Sequence, residues 1–385
     1  MNRKLTSEDA VIVGGGVIGL SIAWQLAKEG WKVTILERDD IGQGTSWAGA
    51  GILPPANFSA ASDPIDRLRG LSHKLFPTWS SELKATTGLD PGLRRCGGWY
   101  LAESLGELAS LVGMADYWAH LDIESERLPM RELVKHEPAL SSWAKQKTSI
   151  GAWWVPDEYQ LCPPLYLRCL QTACEEAGVL IRTQCELEGV RAQSDMTCVR
   201  FDGRWHDCSR VVLCGGAWLN QFTEPLGLSH SVIPVRGQML LLKTVTPISR
   251  RIINLGNRYL VCREDGHILI GSCEEEVGYQ LGTTDEMISE LRSFANSLIP
   301  ALADAEHKRS WSGLRPMTYD GFPMIGRVPG TNNAYVAGGH FRSGLHLSTG
   351  TASVLCDLMV KREPVIDLDA FRVGKQISHR QTHLE

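Results

Sequence analysis

The chain has 385 residues, 43% hydrophobic and 22% charged, with a formal net charge of −5: an ordinary globular balance, long enough for two cores. That charge offers no basic field for nucleic acid or an anionic membrane, and no apolar run approaches the ~20 residues of a membrane span. The eleven cysteines stand singly, without Cys-x-x-Cys or zinc spacing, and Met1–Asp9 is too polar for a signal peptide; reduced thiols, no metal and a cytoplasmic location are expected.

The first apolar run, Ala10–Val13, leads into Gly14, Gly16 and Gly19. Gly14 suits a tight turn, Gly16 the close approach of a pyrophosphate, and Gly19 close packing of a helix on a sheet. A helix is predicted over Val17–Lys28, with Ile18, Ile22 and Leu26 on one stripe and Gly30 as its stop. Its N-terminal amides favour a phosphate. A second strand, Lys32–Leu36, ends in Glu37, close to the ~20-residue spacing of a carboxylate that grips a ribose hydroxyl. Strand, glycines, helix, strand and acid together predict a dinucleotide site.

Gly42–Pro54 is rich in small residues and lacks helical or strand period. Composition alone does not separate a backbone wrapped around a large ligand from a flexible loop. Residues 65–95 and 104–145 read mainly as helices, with a strand at Gly97–Ala102 between them. Pro163–Pro164 opens a helix carrying Leu167, Leu170 and Cys174 and stopping at Gly178. Val179–Arg182 and Arg210–Gly216 read as buried strands. From 232 to 273 the pattern is antiparallel: Val235–Gln238 runs into Met239–Leu242, and Asp265-Gly266 joins Arg258–Arg263 to Ile268–Gly271 as a hairpin. A helix follows over Asp285–Leu298, then Gly-rich Tyr335–Gly344, then a helix from Thr349 to Val360. The fold expected is α/β: a discontinuous Rossmann-like nucleotide domain (1–85, 150–225 and 308–385) with an inserted, mostly antiparallel α+β substrate domain (86–149 and 226–307).

With these pieces in place, the chain resembles the FAD-dependent D-amino-acid oxidase superfamily, and within it the glycine oxidases of thiamine biosynthesis. The carriers are Gly14–Gly19, Glu37-Arg38, Gly44–Leu53, Val235–Gln238, Trp311–Pro316, Asp320–Gly326 and Gly338–Gly344. The resemblance implies FAD as the cofactor, held around Val17, Ile18, Glu37, Arg38, Thr45, Ser46, Gly51 and Ile52, with Leu187 presenting its backbone to the adenine. His340, Phe341, Arg342, Ser343, Gly344, Leu345 and His346 would pass the flavin's pyrimidine edge, where a helix N-terminus suits the negative charge of a reduced flavin. No cysteine or histidine matches the attachment residue of the sarcosine oxidases, so the FAD is expected to be non-covalent. Relatives are often homo-oligomers.

Arg315, in Gly313-Leu-Arg-Pro316, stands where the family places its substrate-carboxylate arginine, and a guanidinium on rigid backbone suits bidentate recognition. Without the surrounding motifs it reads as a surface arginine. Tyr259 matches the tyrosine sharing that carboxylate; by alternation it faces the same way as Val261 and Arg263. A packed core tyrosine is the other reading. Arg342 would close the substrate site and add positive field. No residue is required as an acid or base. The activity implied is oxidative deamination of glycine or another small amino acid or secondary amine by hydride loss from Cα, yielding a 2-oxo acid, ammonia or amine, and hydrogen peroxide. The alternative is a D-amino-acid dehydrogenase with a quinone or protein acceptor. One departure stands out: Glu274 occupies a position near the substrate that glycine oxidases usually fill with an apolar residue. Its carboxylate would favour a bound cation if it points inward, and is merely solvated if it points out.

Overall fold

The structure, a computed structural model, describes residues 8–194, 196–228 and 232–375. In chain order its first third comprises β1 (Ala10–Val13), α1 (Val17–Lys28), β2 (Val33–Leu36), α2 (Thr45–Ala48), β3 (Ile52–Leu53), α3 (Pro64–Thr87), β4 (Arg94–Arg95), β5 (Gly98–Ala102), α4 (Leu105–His120) and β6 (Glu126–Arg127). The middle comprises α5 (Met130–His136), β7 (Gly151–Val155), β8 (Tyr159–Gln160), α6 (Pro163–Glu176), β9 (Leu180–Arg182), β10 (Gly189–Gln193), β11 (Met196–Phe201), β12 (Arg204–Asp207), β13 (Val211–Leu213) and α7 (Asn220–Thr223). The last part comprises β14 (Val232–Lys243), β15 (Ile252–Leu255), β16 (Arg258–Cys262), β17 (His267–Gly271), α8 (Asp285–Leu298), β18 (Glu306–Thr318), β19 (Met324–Arg327), β20 (Ala334–Gly338) and α9 (Gly344–Met359).

Two large sheets organise the chain. One has six strands in the order β19-β20-β13-β1-β2-β9, parallel except at β19. Strands buried on both faces need no alternation, which is why Ala10–Val13 and Val33–Leu36 read as continuous apolar runs. Helices α1, α3, α6 and α9 cover one face through Leu20, Leu26, Phe76, Tyr166, Leu170 and Leu355. The fit is close at Gly19, where an added Cβ would lie 2.0 Å from the Gly14 carbonyl oxygen.

The second sheet has eight strands, β18-β14-β17-β16-β15-β5-β7-β6. Its strands alternate as predicted for a two-faced sheet. Leu240, Leu260, Cys262 and Ile270 face the core capped by Leu291, Ala295 and Leu298 of α8. Met239, Tyr259, Val261 and Leu269 face the opposite way, with Ala50, Ile52 and Trp311 packed on them. The fold is therefore mixed α/β with a parallel and a largely antiparallel sheet, as the sequence predicts.

Three local expectations change. The last helix begins at Gly344, not Thr349. Its polar first turns are buried rather than looped out because their hydroxyls find partners: Ser348 Oγ donates to Leu345 O at 2.8 Å and Thr349 Oγ1 to Ser72 O of α3 at 3.1 Å. The small-residue segment contains the short helix α2 and the two-residue strand β3, which pairs with β8. An antiparallel meander, β10–β12, occupies a stretch to which the sequence assigned no element.

Gly19→Ala is expected to destabilise the protein by roughly 2 kcal/mol or more, because the methyl meets backbone rather than a yielding side chain. Thermal unfolding reads this as a Tm lowered by several degrees; an unchanged Tm would show that α1 can shift without cost.

Candidate functional site

A cavity of about 480 Å³ is lined by residues of both large sheets. Every sequence-selected site residue except Gly19 lines it: Gly14, Gly16, Val17, Ile18, Glu37, Arg38, Thr45, Ser46, Gly51, Ile52, Leu187, Tyr259, Arg315 and all of His340–His346. Gly19 instead serves the helix packing described above.

At one end the cavity meets the first turn of α1. Its N-cap is Gly16, whose missing side chain leaves the turn without a side-chain cap. Ser46 Oγ of α2 accepts from Val17 N at 2.9 Å, tying the second glycine-containing segment to the first. The Glu37 carboxylate accepts from Gly15 N at 2.7 Å and Asp39 N at 3.0 Å, so the backbone orients it at the cavity wall. Arg38 lies over the Trp218 ring at 3.9 Å, and Trp218 also lines the cavity. An open, positively polarised helix start beside an oriented acid fits a pyrophosphate joined to a ribose.

The other end is bounded by His340–His346 and the start of α9. Ser343 at the N-cap makes no side-chain cap, so the positive end of this helix dipole lies at the cavity without a side-chain oxygen of its own over it. His340 is buried, with its Nε2 3.1 Å from Thr351 Oγ1, and burial pushes its imidazole down to about 3. Burial likewise holds His346 well below the usual histidine range. Both rings are therefore neutral at physiological pH. The two imidazoles therefore add no positive charge to this segment.

The second sheet supplies the polar groups between these ends. Strand register sets Tyr100, Asn254, Tyr259, Gly271, Met239 and Trp311 in one row across six adjacent strands. Two glycines create the room that the site uses. A Cβ on Gly271 would fall 2.6 Å from the Tyr259 hydroxyl, and one on Gly237 would fall 2.2 Å from Arg315 Nη2. The Arg315 side chain thus crosses β14 over Gly237 and donates to Cys273 O at 2.9 Å and Ser272 Oγ at 2.5 Å. Both acceptors are neutral, so the cation keeps its charge for an incoming anion.

Two neighbouring arginines are neutralised by carboxylates. Arg236 holds Glu275 through Nε at 3.0 Å and Nη2 at 3.2 Å, and Gln238 Nε2 adds a bond at 3.0 Å. The Arg236 bond, assisted by Gln238 and Cys273, pulls Glu275 down to about 2. This cluster braces the segment that carries Ser272 and Cys273, the partners of Arg315. Arg342 pairs with Glu274 at 2.9 Å, with side-chain exposures of 44% and 46%. Glu274 therefore neither enters the cavity nor stands free in solvent; it covers Arg342 at the rim. The expectation that Arg342 adds net positive field to the pocket is corrected accordingly.

Sequence reasoning missed Tyr100, Glu158, Asn254 and Met239, which also line the cavity. No motif marks them; they come from strands and a turn brought together only by sheet pairing. An acid next to a short apolar strand, in Asp157-Glu158-Tyr159-Gln160, is the single local signal for Glu158.

Comparison with known proteins agrees with this geometry. The family model for FAD dependent oxidoreductases matches residues 9–358. The chain is 34% identical to glycine oxidase of Pseudomonas aeruginosa over 376 residues, covering 94% of this chain and 97% of that one. It is 31% identical to glycine oxidase of Geobacillus kaustophilus, covering 96% and 97%. The crystal structure of the Geobacillus protein superposes with a TM-score of 0.90, covering 96% of this chain and 99% of that one.

The Glu275 cluster yields a pH prediction. Its carboxyl is held below the ordinary glutamate value of 4.5, so its contribution is complete above that pH and fades as pH falls toward about 2. Glu275→Gln should cost on the order of 2 kcal/mol at pH 7, after allowance for solvent screening, and flatten the stability loss between about pH 5 and pH 2. Denaturant midpoints across that range test it; parallel wild-type and variant curves would show that the ion pair contributes nothing to folding.

Proposed function

Because the chain belongs to the family of FAD dependent oxidoreductases, we propose that it oxidises glycine or another small amino acid or secondary amine. Amine, water and oxygen would give a 2-oxo acid, ammonia (or the freed amine) and hydrogen peroxide. The carrying observation is Arg315: a guanidinium held across Gly237 by neutral acceptors, with the Tyr259 hydroxyl facing the same cavity.

Bound non-covalently in this cavity, FAD supplies the hydride acceptor. The amides of α1 and the Glu37 carboxylate fit its nucleotide half, and the positive dipole end of α9 fits the end where a reduced flavin is negative. Arg315 and Tyr259 would clamp the substrate carboxylate and fix the Cα–H bond in direction. The positive charge of Arg315 also disfavours a second cation nearby, which favours the neutral amine from which hydride departs. With His340 and His346 neutral by burial, no residue is assigned as acid or base. Catalysis then rests on alignment and electrostatics.

The division into a cofactor part (1–85, 150–225, 308–385) and a substrate part (86–149, 226–307) belongs to the same proposal. Within it β7 and β18 side with the substrate part, because both are hydrogen-bonded into the eight-stranded sheet. A cytoplasmic location is likewise inferred, in keeping with eleven unpaired cysteines. Among the described residues no helix is long and apolar enough to cross a membrane.

Anaerobic mixing with glycine, sarcosine and a panel of D-amino acids should bleach the flavin with at least one of them. Readmitted oxygen should return stoichiometric peroxide; slow reoxidation without peroxide would favour the dehydrogenase alternative. Arg315→Ala should lower kcat/KM by about 100-fold or more, roughly 3 kcal/mol, while flavin content is retained. Activity within tenfold of wild type would remove Arg315 as the anchor.

The rim pair gives a specificity prediction. Glu274→Gln uncovers Arg342, so amines carrying a second carboxylate, such as D-aspartate or iminodiacetate, should gain about 3- to 10-fold in kcat/KM relative to glycine. An unchanged ratio would show that Arg342 does not meet the substrate.

A further inference from the structure

The loop from Glu274 to Thr284 leaves the eight-stranded sheet after β17 and is fastened at both ends. Near its start Arg236 N donates to Glu275 O at 2.8 Å and Glu275 N to Arg236 O at 3.0 Å. At its far end Gly282 N donates to Ser312 Oγ at 2.8 Å, and Thr284 N to Gln238 Oε1 at 2.8 Å. Between these fastenings, among the described residues, 276–281 form no hydrogen bond or ion pair with another part of the chain. Their tie is a ring contact: Tyr279 stacks on Trp218, with centroids 5.9 Å apart and planes 27° apart. Tyr279 stays 46% exposed, so the stack rather than burial keeps it in place.

Trp218 lines the cavity and also carries the Arg38 guanidinium at 3.9 Å, whereas Tyr279 does not line the cavity. The residues that the loop meets, directly or through Trp218, all follow the carboxyl ends of parallel strands in the six-stranded sheet. Arg38 follows β2, Trp218 follows β13, and Arg342, the partner of Glu274, follows β20. Ligands of an open parallel sheet bind outside those ends. The Glu274 and Arg342 side chains are both nearly half-exposed, which sets this part of the loop at the rim. A loop of the eight-stranded sheet is therefore joined at the rim to two cavity-lining residues that belong to the other sheet. Holding an exposed loop still costs conformational entropy, and one with so few bonds opens readily. An aromatic stack is what opposes opening at residue 279.

We propose that Tyr279 is a positioning residue for the cofactor: by clasping Trp218 it holds the loop across the rim and slows the departure of bound FAD. The inference rests on the placement of FAD in this cavity. Tyr279 acts through Trp218 and through the closed loop, without touching the dinucleotide. The interaction belongs to the ring, not to the hydroxyl or to apolar bulk.

The test uses the holoenzyme, diluted with a phosphodiesterase that destroys FAD once it is free; release is read as the rise in flavin fluorescence. Tyr279→Ala should release FAD about 3- to 10-fold faster than wild type, the range that one aromatic stack supplies. Tyr279→Phe keeps the ring and should stay within about twofold of wild type. Tyr279→Leu keeps apolar bulk without the ring and should behave like the alanine variant. The position is exposed, so none of these changes alters the core. Wild-type release from the alanine variant, release from the phenylalanine variant as fast as from alanine, or wild-type release from the leucine variant overturns the clasp. Glu37→Gln weakens the grip at the cavity wall itself and should speed release whatever Tyr279 does. Unchanged release from that variant would overturn the placement of FAD, and the clasp with it; faster release there, with no effect at Tyr279, overturns the clasp alone.

Discussion

The site depends on one unneutralised cation. Arg315 is fixed by a backbone carbonyl and a hydroxyl, groups that orient a guanidinium without cancelling its charge. A carboxylate in either place would have held the side chain as well and left nothing to bind with. The constraint extends to backbone: only a residue without a side chain at position 237 lets Arg315 cross β14, and only one at 271 leaves room for the Tyr259 ring.

The surrounding arginines show the same electrostatics used for other ends. Arg236 is buried and fully engaged with Glu275, an arrangement that braces the segment presenting Ser272 and Cys273. Removing either partner would leave a charge in a poorly solvated place, which is more costly than the pair is stabilising. Arg342 and Glu274 are half-exposed and more weakly coupled by comparison, so the pair adds little to stability. Glu274 is thus engaged at the rim, apart from the Ser272 and Cys273 groups that hold Arg315.

Between the two ends of the cavity the charge logic changes from side chains to backbone. Helices α1 and α9 both begin at the cavity without a cap from their own N-cap side chain, although Ser46 Oγ takes up the first amide of α1. The histidines at the second helix are neutral because they are buried, so their place there is packing and hydrogen bonding rather than charge. An anionic group at either end of the cavity would meet helix dipoles that are already oriented and need no reorganisation.

The nucleotide half was legible in the sequence because its signals are local: Gly14–Gly19, Val17–Lys28 and Glu37 carry strand, turn, helix and acid within one stretch of chain. Arg315, Tyr259 and the His340–His346 segment were legible as motif residues, and alternation along Arg258–Cys262 correctly placed Tyr259 opposite Leu260 and Cys262. The first turns of α9 were not, since Ser348 and Thr349 look unhelical until α3 supplies Ser72 as a partner. Nor could the chain order disclose which charges are cancelled. Whether Arg315 is free or Arg342 is covered by Glu274 depends on strand register and on turns distant in sequence meeting at one cavity. Spacing determines local backbone form, because hydrogen bonds and φ/ψ act over a few residues; the balance of charge inside a site is decided by tertiary packing, because Coulomb energy depends on distance and burial in three dimensions.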